Sequence, residues 1–281
     1  MSFAYKCSDG TVVDFCNGAY FADPDTFRSY AFAYTCSNGR VVAFSTDEVE
    51  ITLPITVMAD DADEANELAD SLIELFERDV ASGKSGEISV DGYTSKVFVV
   101  SASLDTQATT GEEDLELSAT FLFECPKWVA EKTMSFFPRN SEGNGYLDYP
   151  HGYPYNYAPN DSAQFFENPY GKPCNIRLTI YGPAVNPYIY INGNRYEVLV
   201  SVPAGGHLVI DARDRSAINM FDPIGNATNV FANRTRGTKG SGTYIYEMVN
   251  PGYNAVSWDN TFGFDVAIYD ERRWIPCSIS P

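Results

Sequence analysis

The sequence predicts a mainly β protein of two domains: an N-terminal β domain carrying one α-helix, then an all-β sandwich of the jelly-roll kind. Three observations predict it. Val, Ile and Thr gather in short runs beside 19 Tyr and 18 Phe, side chains that suit a pleated, half-buried surface. One stretch, Asp60–Ser82, repeats apolar residues at helical steps. The 281 residues exceed the common length of one domain, and composition shifts sharply after Pro138.

The elements follow in order. Ala4–Phe15 (AYKCSDGTVVDF) and Ala33–Phe44 (AYTCSNGRVVAF) echo each other. Each reads as a strand, a turn ending in Asp-Gly or Asn-Gly, and a second strand, because those dipeptides tolerate the positive φ of tight hairpins. Val49–Met58 is a strand in which Pro54 marks an edge or a bulge. In the helix, Ala65, Leu68, Ala69, Leu72, Leu75, Phe76 and Val80 form one apolar stripe. Asp60 or Asp61 caps its start and Gly83 stops it. Strands Gly86–Val90 and Tyr93–Leu104 flank the turn Asp91-Gly92. The polar stretch Asp105–Asp114 precedes Leu115–Phe123, where apolar and polar residues alternate with period two and a long hairpin with a mobile tip is expected. The N-terminal domain is thus 1–138, with its helix at about 61–82. Residues 139–173, rich in Tyr, Pro, Gly and Asn, read as a linker and the approach to a second domain. Residues 174–281 carry short strands between turns, the pattern of a β-sandwich.

Composition excludes several function classes. With 38 acidic and 19 basic residues the formal net charge is −19, a surface that repels nucleic-acid phosphate and anionic lipid. Such charge suits a soluble acidic protein, or a wall past which nucleic acid slides. No apolar run approaches the ~20 residues that span a bilayer. Met1–Gly10 lacks a basic segment followed by an apolar one, so synthesis in a cytoplasm is expected. Cys7, Cys16, Cys36, Cys125, Cys174 and Cys277 form no CxxC pair and read as free thiols, without metal-ligand spacing.

Chemistry-bearing constellations are sparse. His151 lies in the Tyr/Pro-rich segment. His207 could pair with Asp211 in a triad, but no nucleophile elbow accompanies it. Asp63, Glu64, Glu67 and Asp70 read as a solvated helix face rather than as metal ligands. Gly143-Asn144-Gly145, Gly205-Gly206 and Gly237 to Gly242 join no strand to a helix and read as turns rather than phosphate cradles. Tyr153, Tyr155, Tyr157 and Trp258 could stack on sugar rings, although aromatics in strands and linkers more often pack internally. No catalytic, cofactor-binding or metal residue is assigned, and no cofactor is expected.

Collinear motifs then resemble the distal tail proteins of siphophages, the phage tail family. In the first half these are the helix Ala62–Ser82, Gly-Lys-Ser-Gly at Gly83–Gly86, Asp91-Gly92-Tyr93, and Phe121–Phe136 with Cys125-Pro126-Lys127-Trp128. In the second they are Tyr146–Ala158 (YLDYPHGYPYNYA), Ile180–Pro187, Ile189–Tyr196, His207–Asp211, Asn229–Arg234, Pro251–Trp258 and Phe264–Arg272. The two N-terminal hairpins, with Cys7 and Cys36, depart from the family's usual start. The resemblance implies a tail-tube-like β-sandwich with one helix that forms a ring, followed by a galectin-like sandwich that projects outward. It further implies a homohexamer joining the tail tube to tail-tip and receptor-binding proteins. DNA would pass the lumen without specific binding, no membrane would be involved, and the subunit, made in the host cytoplasm, would end in the virion tail tip. The competing readings are a carbohydrate-binding adhesion module acting through the second sandwich, and, last, a wall-degrading enzyme.

Overall fold

Asp61 opens the helix by accepting the Glu64 amide proton at 2.8 Å, while Glu64 reaches back to the Asp60 amide at 2.9 Å. This reciprocal pair satisfies amides that a helix start leaves without intrahelical acceptors. At the other end Gly83 adopts φ 63°, the left-handed conformation that closes helices. The computed structural model that shows this describes residues 2–29, 33–45, 49–105, 115–138 and 164–276. The chain divides into two compact units, Met1–Ala130 with Glu271–Pro281, and Glu131–Asp270. Both are built mainly of antiparallel strands.

The first unit contains β1 (Phe3–Lys6), β2 (Val12–Asp14), β3 (Tyr20–Ala22), β4 (Ala33–Ser37), β5 (Arg40–Ser45), β6 (Glu50–Val57), α1 (Ala62–Ser82), β7 (Gly86–Val90), β8 (Tyr93–Asp105) and β9 (Leu115–Phe123). It also holds the start of β10 (Trp128–Phe136), where Val129 pairs with Thr94. One sheet runs β3-β6-β9-β8-β7-β1-β2. Its period-two alternation turns Leu53, Ile55, Ile88, Val97, Leu117, Ala119 and Phe121 to one face, where Leu72, Leu75 and Phe76 of α1 cover them. Pro54 sits where β6 is an edge, since β3 pairs only with Ile55–Val57. There its missing amide costs no ladder bond.

One expectation needs correction here. Val80 is 45% exposed rather than part of the apolar stripe, and Asp79 takes the buried position beside it. Asp79 can lie inside because three donors meet its carboxylate. The first compact unit runs to Ala130, and the chain returns to it at Glu271, with Ile275 buried in its core. The helix stripe and turn signals mark elements in the sequence, but no local pattern marks a C-terminal segment that belongs with the first core.

The second unit contains the rest of β10, then β11 (Gln164–Asn168), β12 (Asn175–Tyr181), β13 (Ala184–Val185), β14 (Tyr188–Ile191), β15 (Asn194–Glu197), β16 (Ser201–Val202), β17 (His207–Asp211), β18 (Asn219–Phe221), β19 (Ala227–Asn229), β20 (Gly252–Ser257) and most of β21 (Phe264–Arg272). One sheet includes β19-β18-β17-β12-β21, and a four-stranded sheet runs β11-β20-β14-β15. Between them pack Leu178, Ile180, Leu208, Ile210, Val266 and Ile268 from the first, and Phe166, Ile189, Ile191, Tyr196 and Val256 from the second. This is the expected sandwich. Strand β11 belongs to it and lies within the 139–173 segment, on the approach to the second domain. The remainder of that segment, 139–163, and the tip 106–114 lie outside the described residues.

Candidate assembly and binding surfaces

The two echoing hairpins fold locally alike and end in opposite environments. In the first, Tyr5 pairs with Val13 and Lys6 with Val12, and β1 is held on its other side by β7. Tyr5 and Phe15 are fully buried, Cys7 is 2% exposed and Val13 8%. In the second, Tyr34 pairs with Phe44 and Ser37 with Arg40, around Asn38 (φ 51°) and Gly39 (φ 73°). Every residue from Tyr34 to Phe44 is exposed. The matching positions Tyr34, Val42 and Phe44 stand 67%, 61% and 71% in solvent. A lone two-stranded ribbon is marginal in water, and this one displays apolar side chains on a protein that is otherwise strongly acidic. It is the leading candidate for an assembly surface.

The first hairpin is locked by a buried polar node. Asp79 Oδ2 accepts a 2.5 Å hydrogen bond from the Tyr5 hydroxyl, and Oδ1 accepts from Cys7 Sγ at 2.9 Å and the Ser8 amide at 3.0 Å. Burial pushes the Asp79 carboxyl up, but the hydrogen bonds from Cys7, Ser8 and Tyr5 outweigh it and hold it below the ordinary value. Burial, then the hydrogen bond to Asp79, raises Tyr5, and the same two causes raise Cys7. Gly86 belongs to this node, since a Cβ there would lie 2.2 Å from the Tyr5 hydroxyl oxygen.

Charge divides unequally. Of the 38 acidic residues 25 fall in the first unit, with 9 of the 19 basic ones. Asp63, Glu67 and Asp70 are exposed on the solvent face of α1, and Glu64 serves its cap. The outer face of the first sheet carries hydroxyls and acids: Thr52 and Thr120 meet at 3.1 Å, with Glu50, Thr56, Glu116 and Ser118 around them.

The residues weighed for chemistry are not brought together. His207 and Asp211 share one strand, four residues or roughly 13 Å apart at strand rise. His207 stacks on Phe221 at 4.6 Å, and Asp211 Oδ2 accepts from the Tyr269 hydroxyl at 2.9 Å. His151, Tyr153, Tyr155, Tyr157, Cys277 and the 143–145 glycines lie outside the described residues. Trp258 is no exposed platform: it is 7% exposed, its Nε1 donating to the Phe262 carbonyl at 3.0 Å. Gly205, Gly240 and Gly242 adopt positive φ in turns. Among the described residues Cys7 and Cys174 are buried, Cys36 and Cys125 are exposed, and no metal-holding cluster occurs. No described helix is long and apolar enough to cross a membrane.

The aromatics that do face solvent sit elsewhere, on the outer face of the four-stranded sheet. Tyr188 lies opposite Glu197, and Tyr190 opposite Arg195. The Arg195 guanidinium covers the Tyr188 ring at 4.8 Å and stands 5.9 Å from that of Tyr190. It pairs with Glu197 at 2.5 Å, and Thr235 donates to the same carboxylate. Farther across, Phe165 and Tyr253 are 60% and 77% exposed. Sequence reading missed this set because its members come from four strands spread over residues 165–257, with no motif in any one of them.

No family model and no curated protein matches the chain. Solved structures do. The SPP1 Dit protein (gp 19.1), described as a paradigm of hub adsorption apparatus in Gram-positive infecting phages, is 11% identical, with a TM-score of 0.56 over 96% of this chain and 99% of that one. A chain of the phage P2 baseplate in its activated conformation with Ca is 12% identical, with a TM-score of 0.55 over 98% of this chain and all of that one. The corresponding phage p2 baseplate structure with Sr gives 12% identity and 0.55, over 98% and 99%. At such identities the likeness is one of fold. Over nearly its whole length, this chain has the fold of phage baseplate and hub proteins.

Proposed function

We propose that the chain is a structural subunit of a phage tail tip, closing into a homohexameric ring that joins the tail tube to tail-tip and receptor-binding proteins. The observation that carries this reading is the exposed hairpin β4–β5. It presents to solvent the residue pattern that its echo buries, and a neighbouring copy supplies the missing cover. Ring closure gives every such ribbon a partner, and a cyclic assembly leaves no surplus edge. The near full-length likeness to the SPP1 hub protein supports the same assignment. The subunit acts through fixed geometry and repeated docking rather than catalysis; its acidity lets genome DNA pass the lumen without being held. It is made in the host cytoplasm and resides in the virion tail tip. Native mass spectrometry and electron microscopy of the full chain test this. Six-fold rings, or incorporation at the tip of assembled tails, are expected; absence from purified tails ends the proposal.

A second reading, carbohydrate-binding adhesion through the second unit, is favoured by one observation, the aromatic outer face of its smaller sheet.

A further inference from the structure

The core of the second unit is filled from the inner side of its four-stranded sheet, by Phe166, Ile189, Ile191, Tyr196 and Val256. The outer side adds nothing to that core, yet it carries four aromatic rings. In-register pairing fixes their arrangement. Ser257 lies beside Tyr190, and Ala255 lies between the turn residue Asn192 and Phe165. Tyr253 lies opposite Glu167. Small residues thus form a floor between two aromatic walls, Tyr188 and Tyr190 on one side, Phe165 and Tyr253 on the other.

The polar groups of this face are set in advance. Arg195 is pressed flat on Tyr188 and held by Glu197, which Thr235 braces at 2.5 Å. Among the described residues the buried Arg195 Nε meets no acceptor. The other sheet behaves differently. There Tyr181 donates to Asp265, Tyr269 to Asp211 and Arg177 to Glu131, so its polar groups satisfy one another.

We propose that the outer face of β11-β20-β14-β15 binds a neutral pyranose chain, an inference that rests on the adhesion reading and is independent of ring closure. Pyranose rings present an apolar C–H face bordered by hydroxyls. Tyr188, Tyr190, Phe165 and Tyr253 offer flat surfaces for the former, while the Arg195 guanidinium and the tyrosine hydroxyls offer polar partners for the latter. Charge selects the class. Glu197 cancels Arg195, and Glu167 flanks Tyr253, so a phosphate-bearing polymer gains no net attraction here. A protein partner would favour a continuous apolar centre, which Ser257 and the Arg195–Glu197 pair interrupt.

The test is binding of the full-length protein to an array of neutral oligosaccharides built from glucose, galactose, N-acetylglucosamine and rhamnose, followed by titration of the best binder. Binding that weakens about tenfold or more in Tyr253→Ala, Tyr190→Ala and Arg195→Ala, but not in Tyr181→Ala on the opposite sheet, supports the site. Tyr253 is 77% exposed, so its variant keeps the fold and the readout stays interpretable. Undiminished binding in all three variants overturns this site while leaving adhesion intact. No binding to any glycan at millimolar concentration overturns both. Preference for polyglycerol phosphate over neutral sugars overturns the proposed ligand class.

Discussion

The Tyr5 hydroxyl donates to Oδ2 of Asp79 at 2.5 Å, tying the first strand of the chain to the last turn of its helix across 74 residues of sequence. Asp79→Ala leaves the Tyr5 hydroxyl, the Cys7 thiol and the Ser8 amide without their acceptor. A loss of about 3 kcal/mol is expected, since each buried unsatisfied group costs on the order of 1–3 kcal/mol. Calorimetry should show it in the first unit's transition and leave that of the second unmoved.

The same node sets an acid dependence. Asp79 is held below its ordinary value in the folded chain, so its contribution is present above the unfolded carboxylate range and is lost as pH falls through the folded value. Stability of the first unit should therefore drop in acid, and the drop should be smaller in Asp79→Asn. Equal acid slopes for the two proteins would refute the assignment.

Gly86→Ala should destabilise by about 1–3 kcal/mol, as overpacked cores do. Its new methyl occupies the position of the Tyr5 hydroxyl. Gly86→Ala combined with Tyr5→Phe should regain part of that loss, measured by urea midpoints.

Val13 and Val42 are equivalent in the two hairpins and provide a paired experiment. Val13→Asp buries a charge and should cost about 3 kcal/mol or more. Val42→Asp should leave the isolated subunit within about 0.5 kcal/mol of the parent, yet block ring formation in native mass spectrometry. Rings from Val42→Asp would remove the hairpin from the interface.

In an assembled ring, acidic side chains should outnumber basic ones on the wall of the channel. Electron cryomicroscopy of tail tips checks this directly, and a basic lumen contradicts it.

Much of the architecture is legible in the chain because it depends on local chemistry. The Asp61 cap, the Gly83 stop, the Asp91-Gly92 and Asn38-Gly39 turns and the alternation of Leu115–Phe123 are set by dihedral preference and short-range hydrogen bonding. The β-sandwich of the second unit follows from turn spacing in the same way. Trp258 is open to either role in the sequence, sugar platform or internal packing, and the fold places it in the core. Its replacement by Ala should cost about 3–5 kcal/mol, whereas Tyr253→Ala should cost almost nothing in stability.

The echo between Ala4–Phe15 and Ala33–Phe44 separates the two kinds of information most clearly. The sequence by itself determined that both segments are hairpins, because their turns and strand residues are nearly the same. Only the tertiary structure decided that Tyr5, Val13 and Phe15 are buried while Tyr34, Val42 and Phe44 face solvent. Burial depends on what lies across from a strand, here α1 and β7 for the first hairpin, and those partners come from distant parts of the chain. Likewise no window of sequence could reveal Asp79 as a hub or the aromatic face of the smaller sheet, since long-range pairing alone brings their members together.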